Sequence, residues 1–359
     1  MKYMIVTQTF PPRTGGMQNV MDSISKRLSV SNETHIFPDH YLSKEYSSTN
    51  LNIHIHNNFS PKILRPFIKK LLLNVFCKSN DVIICDSWKS LNAVPKNINK
   101  VFVFAHGQEF LSKDKKVERI KKSLNRVSCI ICSSHYTANL IDKLKITNIK
   151  KLVIPPTYSL NKISKKKKKS SENPKIVSLL TICRLEKRKG ILPVLRCLSN
   201  LNKNKLLKPF QWNICGEGLQ FEEIRENIKK LNLTDQVFLI GKINNNLKQK
   251  FLESSDVFVM PSYKVNGSIE GFGISYIEAA AFRIPSIAGL DGGVTDAVID
   301  SKTGWCVDPL NQDQLANVLK DAINNKDLRQ KYGLHAEKQF LQRFLGEKVF
   351  RKFMDTISI

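Results

Sequence analysis

A chain of 359 residues has room for two domains of ordinary size, each able to bury its own core. An apolar content of 42% with no run approaching 18 uninterrupted apolar residues excludes a transmembrane helix, and eight cysteines without framework spacing exclude a disulfide-stapled module. The formal net charge of +26 is uneven: residues 1–173 carry +19 and residues 174–359 carry +7. A charge of that size on one half points to an anionic partner surface, lipid or nucleic acid, with a lysine-rich genome bias as the plainer alternative.

The first apolar run, Met4-Ile5-Val6, turns polar at Thr7-Gln8. It is too short for a signal peptide and reads as a strand, so the protein is expected in the cytoplasm. A proline-punctuated loop with Gly15-Gly16 follows, and then Val20, Ile24 and Leu28 on one helical face. Strand, glycine loop and helix make a Rossmann-type opening, but the loop is not GxGxxG, which disfavours a nicotinamide cofactor. A plain turn explains the glycine pair equally well.

Lys62 to Phe76 alternates basic residues with large apolar ones. Two readings stay open for it: a helix lying in a membrane interface, or a core helix with a solvated face. Lys113 to Arg126 adds charge to the same half. Val82 to Cys85 and Val101 to Ala105 read as buried strands, the first ending at Asp86-Ser87-Trp88 and the second at His106. Ligands of open α/β sheets sit outside the carboxyl ends of strands, so Asp86 and His106 are candidates, although a strand-end histidine is commonly structural. Cys129-x2-Cys132 has no second pair to complete a zinc site and reads as buried, reduced thiol. After Pro155-Pro156, residues 161–174 include five consecutive lysines and read as an exposed linker.

A second strand series begins at Ile176. Its first strand runs into Arg184-Leu185-Glu186-Lys187-Arg188-Lys189-Gly190, a basic turn that could equally be solvated. Strand-and-glycine patterns recur at Trp212 to Gly218 and Val237 to Gly241. The buried-type strand Val257 to Met260 then leads to Glu270-Gly271-Phe272-Gly273-Ile274-Ser275-Tyr276-Ile277-Glu278. A glycine turn feeding a helix offers backbone N–H groups and the positive end of a dipole to a phosphate. Glu278 lies about one and a half turns into that helix, at roughly 1.5 Å per residue, where a carboxylate can accept from sugar hydroxyls. Glycosidase carboxylates face each other across the scissile bond, whereas these two are neighbours along one ligand, so hydrolysis is disfavoured. Gly289 to Val294 forms a loop suited to closing the phosphate seat.

The run EGFGISYIEA resembles the E-x7-E signature of the retaining glycosyltransferases of family 4. The resemblance spans nearly the whole chain, with its specific motifs at residues 174–300. It implies an α/β GT-B fold: two Rossmann-like domains facing each other across a cleft, with a C-terminal helix crossing back to the first. Residues 1–160, with 345–359 packed on them, would be the acceptor domain, and residues 175–344 the nucleotide-sugar domain. The basic turn resembles the family's GR-L-x-x-x-KG segment, with Cys183 in place of its glycine. Arg184 and Lys189 would then hold the donor diphosphate, helped by Gly15, Gly16, Phe272, Gly273 and Ile274. Glu278 would hold the ribose, Glu270 would position the donor sugar, and His106 would lie near that sugar.

The activity implied is transfer of a sugar, with retention and without a metal or cofactor, from a nucleotide-diphosphate sugar to a glycan or lipid-linked acceptor. Cell-surface polysaccharide or lipopolysaccharide synthesis, peripheral on the inner membrane face, fits the basic first domain. The rivals are a GT-B epimerase, which needs no acceptor; a glycan phosphorylase, whose chains are far longer; and a nucleic-acid-binding protein. The last lacks any reader motif among its basic residues, so no nucleic acid is expected.

Overall fold

The computed structural model describes residues 1–13, 15–40, 42, 52–111, 115–146, 149–156 and 176–358. The lysine-rich linker expected at 161–174 lies outside the described residues. The chain divides into two compact units, Met1–Ser159 with Gly346–Ile359, and Leu160–Leu345. No helix among the described residues is long and apolar enough to cross a membrane.

Unit 1 is built on a seven-stranded parallel sheet of order β3-β2-β1-β4-β5-β6-β7. Its strands are β1 (Tyr3–Val6), β2 (Thr34–Phe37), β3 (Ile53–Ile55), β4 (Val82–Cys85), β5 (Lys100–Ala105), β6 (Cys129–Cys132) and β7 (Lys150–Val153). β1, β4 and β6 are buried along their whole length because helices cover both faces, which is why they read as unbroken apolar runs. Helix Gly16–Leu28 follows β1 and buries Val20, Met21, Ile24 and Leu28. Helix His135–Asp142 is capped by Ser134, whose hydroxyl accepts from the Thr137 amide at 3.1 Å. The terminal helix Gly346–Ile357 also belongs to this unit. Phe353 stacks on Phe104 of β5 with ring centroids 5.9 Å apart, and Lys352 Nζ donates to the Val153 carbonyl at 2.8 Å.

Helix Arg65–Phe76 matches neither reading of the sequence in full. The residues it buries are Leu73 and Lys69, and the lysine pairs with Asp39 and donates to the Thr7 carbonyl at 3.0 Å. Most of its large apolar side chains face outward. It is therefore not a core helix with a solvated polar face.

Unit 2 carries a six-stranded parallel sheet of order β10-β9-β8-β11-β12-β13. The strands are β8 (Val177–Ile182), β9 (Phe210–Cys215), β10 (Val237–Gly241), β11 (Val257–Met260), β12 (Ser286–Ala288) and β13 (Gly304–Cys306). Its cores lie on either side of the sheet, one around Trp212, Ile214 and Leu319, the other around Phe258, Tyr276 and Phe340. In both units the first strand has its successor on one side and the fourth strand on the other. The strand order reverses there, and the crevice at those carboxyl ends is where open α/β sheets bind ligands.

All eight cysteines are free. Burial pushes the thiols of Cys129 and Cys132 up to about 11 and about 12, so the CxxC pair is inert, in line with the reading of reduced thiols.

Candidate active site

At the carboxyl ends of β8 and β11, adjacent in the sheet, unit 2 gathers most of the residues singled out in its sequence. β8 runs into a 3-10 turn, Lys187–Lys189, and β11 runs through Pro261 to Glu270 and the helix Ile274–Ala280. Two hydrogen bonds hold these segments together, and a third ties the helix back to the end of β11. Ser275 Oγ donates to the Ile182 carbonyl at the end of β8 at 2.9 Å, Tyr263 N donates to the Arg188 carbonyl at 2.9 Å, and the Tyr276 hydroxyl donates to the Met260 carbonyl. Gly273 caps the helix in the left-handed region, at φ 89°, a conformation glycine adopts without steric penalty.

Glu270 is the centre of this cluster. Arg188 Nη1 donates to its Oε2 at 2.8 Å and Lys189 Nζ donates to the same oxygen. All three side chains are largely buried. Burial alone would raise the Glu270 carboxyl, but the Lys189 ammonium and Arg188 guanidinium beside it overcome that and hold it at about 2. Arg188 also reaches Glu186 Oε2 through Nε at 2.9 Å, so its planar fork bridges two carboxylates. The loop Gly289–Val294 closes over the back of Glu270, where the Gly293 amide donates to the Glu270 carbonyl at 2.9 Å. Gly292 permits that approach, because a Cβ there would lie 2.2 Å from the same carbonyl oxygen.

Glu278 projects from the far side of the helix into a buried setting and pairs with Lys248 of the helix Asn245–Ser254. Burial pushes the Glu278 carboxyl up and the Lys248 ammonium down, each to about 8, while the opposite charge in contact works against both shifts.

Arg184, expected with Lys189 to hold the donor diphosphate, has a side chain 71% exposed and paired with Glu186 at 3.0 Å, while Arg188 takes the buried place at Glu270. Glu270, expected to position the donor sugar, is held by Arg188 and Lys189. Arg188 and Lys248 were both missed. Arg188 sits in a run of cations whose members only the turn can tell apart. Lys248 lies thirty residues from its partner, on a helix whose pattern gave no signal.

The corresponding place in unit 1 is organised differently. Asp86, the residue after β4, is buried and accepts from Thr7 Oγ1 at 2.8 Å, the Gln8 amide at 2.8 Å and Ser90 Oγ at 2.6 Å. Its carboxylate ties the β1 loop to the β4 loop. His106, after β5, donates through Nε2 to the Asp86 carbonyl at 2.9 Å, and its own amide donates to Glu109 Oε1 at 2.7 Å. Gly15 and Gly16 open the helix after β1, with no side chain capping its first turn.

Comparison with known proteins gives likenesses for the second unit and for the fold. Residues 161–339 match the family described as glycosyl transferases group 1. The 2-deoxystreptamine N-acetyl-D-glucosaminyltransferase of Niallia circulans is 28% identical over 148 residues, 41% of this chain and 37% of that protein. The GDP-mannose-dependent alpha-(1-6)-phosphatidylinositol monomannoside mannosyltransferase of Mycolicibacterium smegmatis is 29% identical over 148 residues, 40% of this chain and 38% of that protein. The matched stretch thus spans well under half the length of these curated relatives. Among solved structures, Anabaena Alr3699/HepE in complex with UDP and glucose superposes with a TM-score of 0.78 at 17% identity, covering 100% of this chain and 99% of that one. Residues 161–339 are thus similar to the glycosyl transferases group 1 family, and the two parallel-sheet Rossmann-like units have the GT-B fold.

Proposed function

We propose that the chain is a retaining, metal-independent glycosyltransferase that moves a hexosyl-type sugar from a nucleotide-diphosphate sugar to a glycan or lipid-linked acceptor. The observation that carries this is the Arg188–Glu270–Lys189 cluster at the strand-order reversal of a unit that matches the group 1 family. The names of the relatives, a GDP-mannose-dependent transferase acting on a phosphatidylinositol monomannoside and a 2-deoxystreptamine transferase, support a sugar nucleotide as donor and a glycan or lipid-linked acceptor.

In this reading Lys189, Arg184 and the turn at Phe272, Gly273 and Ile274 bind the diphosphate. Arg188 keeps Glu270 ionised and oriented toward the donor sugar. Glu278 gives up part of its contact with Lys248 to accept from the ribose hydroxyls. Breaking the bond between the anomeric carbon and the phosphate oxygen concentrates negative charge on the diphosphate, and cations already fixed there lower the barrier without reorganising. The acceptor oxygen attacks the anomeric carbon from the face the diphosphate leaves, and its proton passes to the departing phosphate oxygen. Unit 1 supplies the acceptor side, with His106 near the sugar and the Gly15-Gly16 turn near the diphosphate.

The test is a thermal-shift screen of UDP, GDP, ADP and their sugar conjugates, followed by slow hydrolysis of the stabilising conjugate read by NMR. One nucleotide class should stabilise the wild type but not Lys189→Ala, and the released sugar should keep its anomeric configuration at first. Stabilisation by none of them, or an inverted first product, overturns the reading.

A further inference from the structure

Three of the chain's seven histidines, His35, His54 and His56, stand together at the β3 edge of the unit 1 sheet. Strand pairing puts them there. β2 and β3 run parallel with His35 opposite His54, and side chains alternate between the faces of a strand, so Glu33, His35 and Phe37 share one face with His54 and His56. His35 stacks on His54 and on His56 with ring centroids 4.8 and 5.1 Å apart. Phe37 and Phe76 then cover His56, at 4.4 and 4.3 Å.

Hydrogen bonding accounts for part of this row only. Lys2 Nζ donates to Glu33 Oε1 at 2.7 Å, His35 Nε2 lies 2.9 Å from the same oxygen, and His35 Nδ1 lies 2.8 Å from His56 Nε2. His54 stands outside that chain, with its Nε2 3.8 Å from Glu33 Oε1, beyond hydrogen-bond reach. A shared ion accounts for it. Zinc bound by nitrogen and oxygen at about 2.0–2.2 Å in a tetrahedron sets its ligand atoms about 3.3 Å apart. The separations of 2.9 and 3.8 Å from Glu33 Oε1 fall on either side of that value, and one ligand atom from each of Glu33, His35 and His54 lies within 4.8 Å of the others. The His54 side chain is half exposed, so a turn of its ring closes the gap. With the ion on Nε2, His35 carries its proton on Nδ1 and donates it to His56 Nε2, a bond that fixes the direction of a ligating ring. The Glu33 carboxylate has a second oxygen, to which Lys2 moves when the ion takes Oε1. Two imidazoles and one carboxylate suit zinc and its first-row neighbours, whereas magnesium and calcium take oxygen ligands.

We infer that Glu33, His35 and His54 form a zinc-type metal site that clips the edge strand β3 to β2, with water completing the coordination on the open side. β3 is three residues long and has one neighbour in the sheet, so a cross-strand ligand pair holds what few hydrogen bonds hold. The site is structural: Glu33 precedes β2 and both histidines lie within their strands, whereas parallel sheets bind substrates beyond the carboxyl ends. An ion that binds only the folded edge stabilises it by mass action. The inference does not depend on the donor reading and puts no metal at the sugar nucleotide.

The test is isothermal titration of zinc chloride, beside magnesium chloride, into the full chain made without a histidine tag and stripped by chelator, at a slightly alkaline pH where imidazoles are neutral. One equivalent of zinc should bind, and magnesium should not. His54→Ala should weaken zinc about 100-fold or more. His56→Phe, which keeps the stacking on Phe37 and Phe76 but loses the bond to His35, should weaken it about tenfold. Zinc should slow amide exchange in β2 and β3 of the wild type and leave His54→Ala unchanged. Cobalt in place of zinc should give no thiolate-to-cobalt charge-transfer band. If His54→Ala unfolds, Glu33→Gln, also partly exposed, replaces it. The thermal shift induced by a sugar nucleotide should be the same with and without zinc, so failure here and failure of the donor reading are told apart. No zinc binding by the wild type, equal binding by His54→Ala, or a thiolate band, which would move the ion to a cysteine, overturns the inference.

Discussion

Each unit places a carboxylate beyond the carboxyl end of its fourth strand, Asp86 directly after β4 and Glu270 in the longer loop after β11, and the two serve opposite purposes. Asp86 follows β4 and is saturated by the neutral hydroxyls of Thr7, Ser87 and Ser90 and the backbone amides of Gln8 and Thr9. Glu270 follows β11 and is held by two cations. A carboxylate whose donors are all neutral neighbours is a scaffold, since no incoming ligand offers it a better partner. A carboxylate held by cations keeps those cations beside a place where a diphosphate also wants them. The same topology therefore yields a brace in one unit and a charged site in the other.

The sharpest way to break this comparison is to remove each charge. Glu270→Gln should lower turnover of the sugar nucleotide by about 100-fold, read as kcat/KM, while the nucleotide still shifts the melting temperature. Asp86→Ala should do the reverse. It strands the buried Thr7 and Ser90 hydroxyls at a cost of about 3 kcal/mol, read in the denaturant midpoint, and leaves nucleotide stabilisation of unit 2 unchanged. If Asp86→Ala abolishes the nucleotide shift at full stability, the brace is misassigned.

Acid should separate the units as well. Burial holds His56 down to about 4 and also lowers His35, its hydrogen-bonded neighbour in the edge strands of unit 1. A depressed histidine stabilises fully above its unfolded value of 6.5, and that contribution drains away as pH falls toward 4. After discounting for partial exposure it amounts to about 1 kcal/mol. Glu270, held at about 2 against an ordinary 4.5, keeps its contribution down to pH 4.5 and loses it only below. Unit 1 should therefore soften between pH 6.5 and 4 while unit 2 holds, seen as hydrogen exchange rising first in β2 and β3. The smallest effect is expected at Glu278→Gln, which keeps a hydrogen-bonding group but replaces one acceptor oxygen by an amide donor, and should weaken the nucleotide about tenfold by isothermal titration.

The fold was legible because strand, glycine turn and helix recur in order, and parallel strands buried on both faces show as apolar runs such as Val82–Cys85. The position of Glu270 was legible from its flanking glycines. Its partners were not, since choosing Arg188 over Arg184 depends on the rotation of one 3-10 turn. Nor could the mounting of helix Arg65–Phe76 be read: its period fixes a stripe, and only the pull of Asp39 on Lys69 decides which way the stripe faces.

The return of Gly346–Ile357 to unit 1 bears on how the chain is made. Phe353 fills the core beside Phe104, yet it leaves the ribosome only after all of unit 2 has been synthesised. At ordinary elongation speed that delay is roughly 10–40 s, during which unit 2 can fold and the first unit stays unsealed under Phe104. The half synthesised first is the half completed last, and a nascent chain in that interval offers its open core to chaperones.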